Sequence, residues 1–171
     1  MQRHFTVTGF VSQDGRTALH WHRLGRWLPP GGHIEPDEDP HQAVLREVRE
    51  EIGLDVEVLP RAPRYAYTNA PQLPLPATIA VYDLEDGDRG LAEHHQHIDL
   101  VFFTRPLVAD APAAASHDEE AWLWVDEPTL RYNAALTDER SGRSAPVPND
   151  VRELALAAIE AVRRANIRPE R

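Results

Sequence analysis

The stretch Pro29–Leu54, PPGGHIEPDEDPHQAVLREVREEIGL, constrains the fold more than any other because it marks where a helix begins and ends. Its Gly- and Pro-dense first half reads as a loop with at most short strand pieces. Asp39, Pro40 and Gln42 then supply an N-cap, a first-turn proline and a capping-box partner. Gly53 supplies the stop, so the spacing predicts a helix over Pro40–Ile52. Val44, Leu45, Val48 and Ile52 fall on one face, which must turn to the core. Glu47, Glu50 and Glu51 stand at i, i+3 and i+4 on a neighbouring face, where like charges repel. Arg46 offsets part of this through its i+4 pairing with Glu50. Two readings follow: a solvated helix face, or carboxylates that hold a hard cation such as Mg2+ or Mn2+. Gly31 and Gly32 are expected to adopt backbone conformations closed to other residues, aiming a carbonyl or amide into a tight site.

Around this stretch the pattern alternates between strands and helices. HFTVTGFV and TALHWHR are β-branched and aromatic runs joined at QDG, hence two strands with a tight connection. LDVEVL, RYAYT, TIAVYDL, HHQHIDLVFFTRP and AWLWV read as further strands, with a Pro-rich break at NAPQLPLPA. A short helix is expected over Glu127–Leu136 and a full one over Asp150–Ala165. In the latter, Val151, Leu154, Leu156, Ala158, Ile159 and Val162 form an apolar stripe suited to packing on a sheet. With no internal repeat and no second core, one α/β domain over residues 1–171 is the expectation.

Charge and cysteine usage narrow the function. The net charge of −10 with neutral histidines would repel a nucleic-acid backbone, which argues against polymeric DNA or RNA as a partner. A small phosphate-bearing substrate is compatible if metal ions or local arginines neutralise it. Cysteine is absent, which excludes disulfides and thiolate metal sites. No apolar run reaches the ~20 residues that span a bilayer. The start MQRHFTVTGFV carries no export signal, so no membrane role and a cytoplasmic location are expected.

Taken as spacing, the stretch reads Gly32, five residues, Glu38, seven residues, Arg46-Glu47-Val48, one residue, Glu50-Glu51, one residue, Gly53-Leu54. This resembles the Nudix hydrolase signature with no departure at any of its seven fixed letters. A chance match is expected about once in 10⁸ starting points. The resemblance implies an α/β/α sandwich with a mixed sheet. It implies cleavage of a diphosphate linkage in a small nucleotide-type substrate, with water attacking phosphorus and Mg2+ (or Mn2+) assisting. In its terms Glu47, Glu50 and Glu51 are the metal-binding and base-bearing glutamates. Gly31 offers a carbonyl to the metal, while Arg46 and Glu38 orient the carboxylates. The alternative is a nucleotide-binding or regulatory protein of the same fold without catalysis, and the intact acids argue against it. Isomerase chemistry on an isoprenoid diphosphate is disfavoured in its cysteine-using form. The substrate is left open among nucleoside triphosphates, ADP-ribose and related diphosphates, and so is the oligomeric state, a homodimer included.

Outside that motif the signals are thinner. Nudix enzymes often take another carboxylate from a loop ahead of a late strand, which nominates Glu120, beside Asp118 and Glu119. Arg23, near the end of the second strand, is a candidate for a substrate phosphate. In HHQHID, strand alternation puts His95, His97 and Asp99 on one face and His94 and Gln96 on the other. His97 is thereby a candidate substrate contact, and a His-x-His pair can also bind a transition metal. Trp21, Trp27, Tyr65, Tyr67, Trp122 and Trp124 supply the aromatic rings from which a nucleobase stacker would come.

Overall fold

The first two strands, β1 (Gln2–Gln13) and β2 (Arg16–His22), turn on Asp14 and Gly15, both at positive φ. That conformation matches the twist of a two-residue hairpin. A computed structural model of the chain describes residues 2–60, 67–85, 94–108 and 122–167. After β2 come β3 (Arg26–Leu28), β4 (Gly31–His33), α1 (Pro40–Ile52), β5 (Val56–Val58), β6 (Thr78–Leu84) and β7 (His95–Pro106). They are followed by β8 (Trp122–Asp126), α2 (Glu127–Tyr132), a small hairpin of β9 (Leu136–Thr137) and β10 (Ser144–Ala145), and α3 (Asn149–Ile167).

Strands β1 to β8 form one mixed sheet. β1 runs parallel to β7 along nearly its whole length, from Gln2↔His95 to Val11↔Thr104. The other described pairings are antiparallel: β5 and β6 on β7, β3 and β8 on β2. The other side of β1 is divided, with β4 beside Thr6–Thr8 and β2 beside Ser12–Gln13. One helix covers each face, which is the α/β/α sandwich.

Alternation along β1 decides what each helix meets. Val7 and Val11 pack with Ala43, Val44, Val48 and Ile52 of α1. Between them Gly9 allows close approach, since a Cβ there would lie 2.8 Å from Val48 Cγ2. Phe10 joins Leu19, Trp27 and Val101 under Val151, Ala155, Ala158 and Ile159 of α3.

α1 has the predicted ends. Asp39 accepts from the His41 and Gln42 N–H groups, the Gln42 side chain accepts from the Asp39 N–H, and Gly53 closes the helix at φ 71°. Its buried face differs in detail from the expected stripe: Leu45 is half-buried, whereas Ala43 and Glu47 are buried. α2 is shorter than expected, because Asn133 turns left-handed (φ 51°) and ends it at Tyr132. RYAYT falls mostly outside the described residues, and its last two positions, Tyr67 and Thr68, are not in a strand.

Candidate active site

The side chains of α1 that turn from the core meet the backbone of β4. Pro30 and Ile34 make the ladder contacts to β1, with Gly9 N–H donating to Pro30 O and Ile34 N–H to Phe5 O. Gly31 and His33 therefore point their amides and carbonyls outward, as alternate residues of an antiparallel pair must. Side chains of α1 take up those groups. Gly31 N–H donates to Glu51 Oε2 at 3.0 Å, and Arg46 Nη2 donates to His33 O at 3.0 Å.

Arg46 is the hub. Its Nε donates to Glu38 Oε2 at 3.0 Å and its Nη2 to Glu38 Oε1, forming a two-pronged pair. Nη1 donates to Glu47 Oε1 at 2.8 Å and to Glu50 Oε2 at 3.1 Å. Glu38 also accepts from the Glu35 N–H at 2.9 Å, which fixes the loop ahead of the helix. The bond from Arg46 is the main reason that the Glu38 carboxyl titrates below the usual range, and Glu38 in turn raises the guanidinium well above its ordinary value. Each partner of the Arg46–Glu38 pair thus favours the charged form of the other.

The carboxylates differ in access. Glu47 is 3% exposed, whereas the Glu50 side chain is 60% exposed. Glu51 lies between these extremes. The two glycines serve close packing and not the unusual torsions expected, for neither has a positive φ. A Cβ on Gly32 would lie 2.3 Å from Glu47 Oε1, and one on Gly31 would lie 2.3 Å from the Val7 carbonyl oxygen.

These residues fit a hard divalent cation. Glu38, Glu47, Glu50 and Glu51 set four carboxylates against the one guanidinium of Arg46, a surplus of negative charge that such an ion balances. All their donors are oxygen, and the space below Gly32 that a methyl would fill admits Glu47. Among the described residues no three acidic or histidine side chains are already drawn together as a bound ion draws its ligands. At the glutamates Arg46 stands between Glu47 and Glu50, so metal binding would redistribute its contacts.

Other expected site residues lie elsewhere. Arg23 is exposed in the turn after β2. Glu120, with Asp118, Glu119 and Tyr65, lies outside the described residues. Trp27 is 0% exposed and Trp122 stacks on buried His20 with ring centroids 4.2 Å apart, so both are core rings and not stackers. Tyr67 is exposed and lines an open groove of about 590 Å³ with Leu73, Leu75, Leu100 and Phe102, beside Pro40 at the start of α1.

His97 stands on the sheet face turned away from α1, and it has company that sequence reading missed. Strand register aligns His4 with His97 and Thr6 with both Asp99 and His33. Four imidazoles, His4, His33, His95 and His97, thus share one patch. The sequence positions of His4 and His33 give no sign of this; only the pairing of β1 with both neighbours brings them together. Below them Asp99 is buried and accepts from Thr6 at 2.8 Å, while burial pushes its carboxyl pKa up. Tyr82, paired with His97 across β6 and β7, bonds to Asp150 of α3, and burial together with Asp150 and Asp99 raises its hydroxyl to about 12.

Comparison with known proteins agrees with this architecture. The chain matches the NUDIX domain over residues 2–149. An RNA pyrophosphohydrolase from Gluconacetobacter diazotrophicus is 35% identical over 106 residues, covering 62% of this chain and 60% of that protein. An 8-oxo-dGTP diphosphatase from Proteus vulgaris is 57% identical over 38 residues, 22% of this chain and 34% of its own. The aligned regions thus span less than two thirds of either relative. A NUDIX-family hydrolase from Clostridium perfringens has a crystal structure that superposes with a TM-score of 0.66 at 23% identity, covering 95% of this chain and 99% of that one. Among the described residues no helix is long and apolar enough to cross a membrane. By its sequence match over most of its length, this chain belongs to the NUDIX domain family.

Proposed function

We propose that the chain is a Nudix pyrophosphohydrolase that uses Mg2+, or Mn2+ in its place, to hydrolyse a diphosphate linkage in a small nucleotide-type substrate. One observation carries the proposal: Arg46 holds Glu38, Glu47 and Glu50 in a single hydrogen-bonded unit against the outward backbone of β4. A surface helix has no need to bury Glu47 beneath a glycine or to seat Glu51 on a strand amide. Of the relatives' names, 8-oxo-dGTP diphosphatase supports a small nucleotide substrate, whereas RNA pyrophosphohydrolase names an RNA. The charge of −10 favours a small nucleotide over a polymer.

Glu47, Glu50, Glu51 and the Gly31 carbonyl would hold the cation, and the bound ion would supply charge neutralisation at the phosphate oxygens. Arg46 and Glu38 keep the carboxylates oriented. A carboxylate of the cluster takes a proton from the attacking water. The water oxygen forms a bond to phosphorus as the bridging P–O bond breaks, and the departing phosphate carries away the electron pair. Exposed Glu50 marks the side from which substrate and solvent enter.

A panel of nucleoside triphosphates, oxidised nucleotides, dinucleoside polyphosphates and ADP-ribose, assayed for phosphate or pyrophosphate release with Mg2+, tests the proposal. Turnover of a panel member that stops on chelation is the expected result. Tight nucleotide binding with no turnover across the panel would favour the non-catalytic reading.

A further inference from the structure

We infer that the chain associates with a second copy of itself through β6, the two β6 strands pairing antiparallel about a two-fold axis. Among the described residues β6 pairs with β7 alone, which leaves its other edge open. Proteins blunt such an edge with charge, proline, a bulge or a covering element. Thr78–Tyr82 carries no charge and no proline, and its register with β7 is unbroken. Two of its side chains are instead exposed and apolar, Ile79 at 59% and Val81 at 58%. Both stand on the α1 side of the sheet, opposite Leu100 and Ile98. Phe5, which meets Ile98 from β1, is 58% exposed on the same face. Leu100 continues this strip into the open groove beside Tyr67 and Leu73.

Charge and register name the occupant. The chain carries −10, so two copies repel unless they meet where charge is absent. From Tyr67 to Tyr82 there is no charged side chain, in a sequence of which 27% is charged. The strand is also complementary to itself. With Ala80 on the axis, Ile79 stands opposite the partner's Val81, and Val81 opposite the partner's Ile79. Such apolar cross-strand pairs stabilise a sheet. Thr78 then faces the partner's Tyr82, and Asp83 faces the partner's Ala77, so no acid meets an acid. Centring on Val81 or Tyr82 would set Asp83 or Glu85 against Ile79, and centring on Asp83 would oppose two carboxylates. A two-fold contact of this kind closes, because each copy spends its one β6 edge and the sheet stops growing. The contact lies away from the glutamate cluster, so it stands whether or not that cluster hydrolyses a nucleotide.

Sedimentation equilibrium of the full chain reads the association, and twice the mass of one chain is expected. A wild type that sediments as a monomer at every concentration overturns the proposal and leaves the strip to another kind of partner. Ile79→Lys places a charge on the edge twice per dimer and should raise the dissociation constant at least about tenfold. Val81→Glu should do the same. Mixing the two variants should restore association, because the register sets the new ammonium opposite the new carboxylate. The chain has no cysteine, so a single Ala80→Cys reports the axis. Opposed Cα atoms lie about 4.5–5.5 Å apart, within reach of a disulfide. Thr78→Cys puts its two copies four residues out of step, about 13 Å along the pair. Mild oxidation should therefore link Ala80→Cys chains and leave Thr78→Cys chains single. Equal linking of both, no recovery on mixing, or a dimer that Ile79→Lys and Val81→Glu leave intact overturns the interface. Should a charged variant fail to fold, Ala80→Cys decides, since it changes one small side chain for another.

Discussion

The carboxylate of Glu47 lies directly beneath Gly32, so close that a β-carbon on Gly32 would come within 2.3 Å of its Oε1. A methyl there must push Glu47 away from Arg46 while leaving the β4 backbone paired with β1. Gly32→Ala is therefore expected to lower turnover at least about tenfold, with a small change in thermal stability. Gly31→Ala should behave in the opposite sense, because its methyl meets the Val7 backbone. Overpacking of that kind costs about 1–3 kcal/mol. Parallel melting and rate measurements separate the two, and equal stability losses would contradict this division of labour.

Metal dependence follows from the donor set. Chelation should abolish hydrolysis and Mg2+ restore it. Glu50→Gln and Glu51→Gln each remove a negative ligand without changing shape, so each should raise the Mg2+ requirement and cut the rate on the order of 100-fold. The metal-free variants should melt no lower than the parent, since each change relieves repulsion along the helix. Wild-type rates in both variants at limiting Mg2+ would remove the glutamates from the site.

Arg46 works through its fork. Lysine keeps the charge but cannot serve Glu38, Glu47, Glu50 and the His33 carbonyl together. Arg46→Lys is expected to reduce kcat by at least about tenfold and to make Glu38→Gln nearly silent in the double variant, because both act through one unit. Additive losses in the double-mutant cycle would show two independent contributions.

His20 gives the fold an acid limit. It is 2% exposed, and burial lowers its pKa from 6.5 to about 4. The folded state thus favours the neutral ring. The stability tied to that ring is present above the unfolded pKa near 6.5 and is lost as pH falls towards 4. The shift corresponds to about 3 kcal/mol. His20→Phe, which keeps a ring against Trp122, should flatten the difference in unfolding free energy between pH 7 and pH 4.5 relative to wild type. An unchanged pH slope would mean that His20 does not set this limit.

Much of the site was legible because it is local. Asp39, Pro40, Gln42 and Gly53 specify the helix ends through contacts within a few residues, and the helical period then fixes which face carries Glu47, Glu50 and Glu51. The strand period likewise put His95, His97 and Asp99 on one face. What escaped the sequence is set by non-local pairing. His4 reaches His97 only through the parallel alignment of β1 with β7, and His33 joins them only because β4 lies on the other side of β1. The reason for the two glycines was also hidden: a steric demand from Val7 and Glu47 cannot be seen before the strands and helix are packed.

The contacts of Arg46 and Glu51 with β4 bear on association as well as on catalysis. A strand that shows unpaired amides and carbonyls at the margin of a sheet is a template for pairing with another chain. On β4 two of those groups, the Gly31 amide and the His33 carbonyl, are already taken by side chains of α1. The residues that shape the acid cluster thereby cap an exposed sheet margin, and removing them would uncover a surface prone to self-assembly.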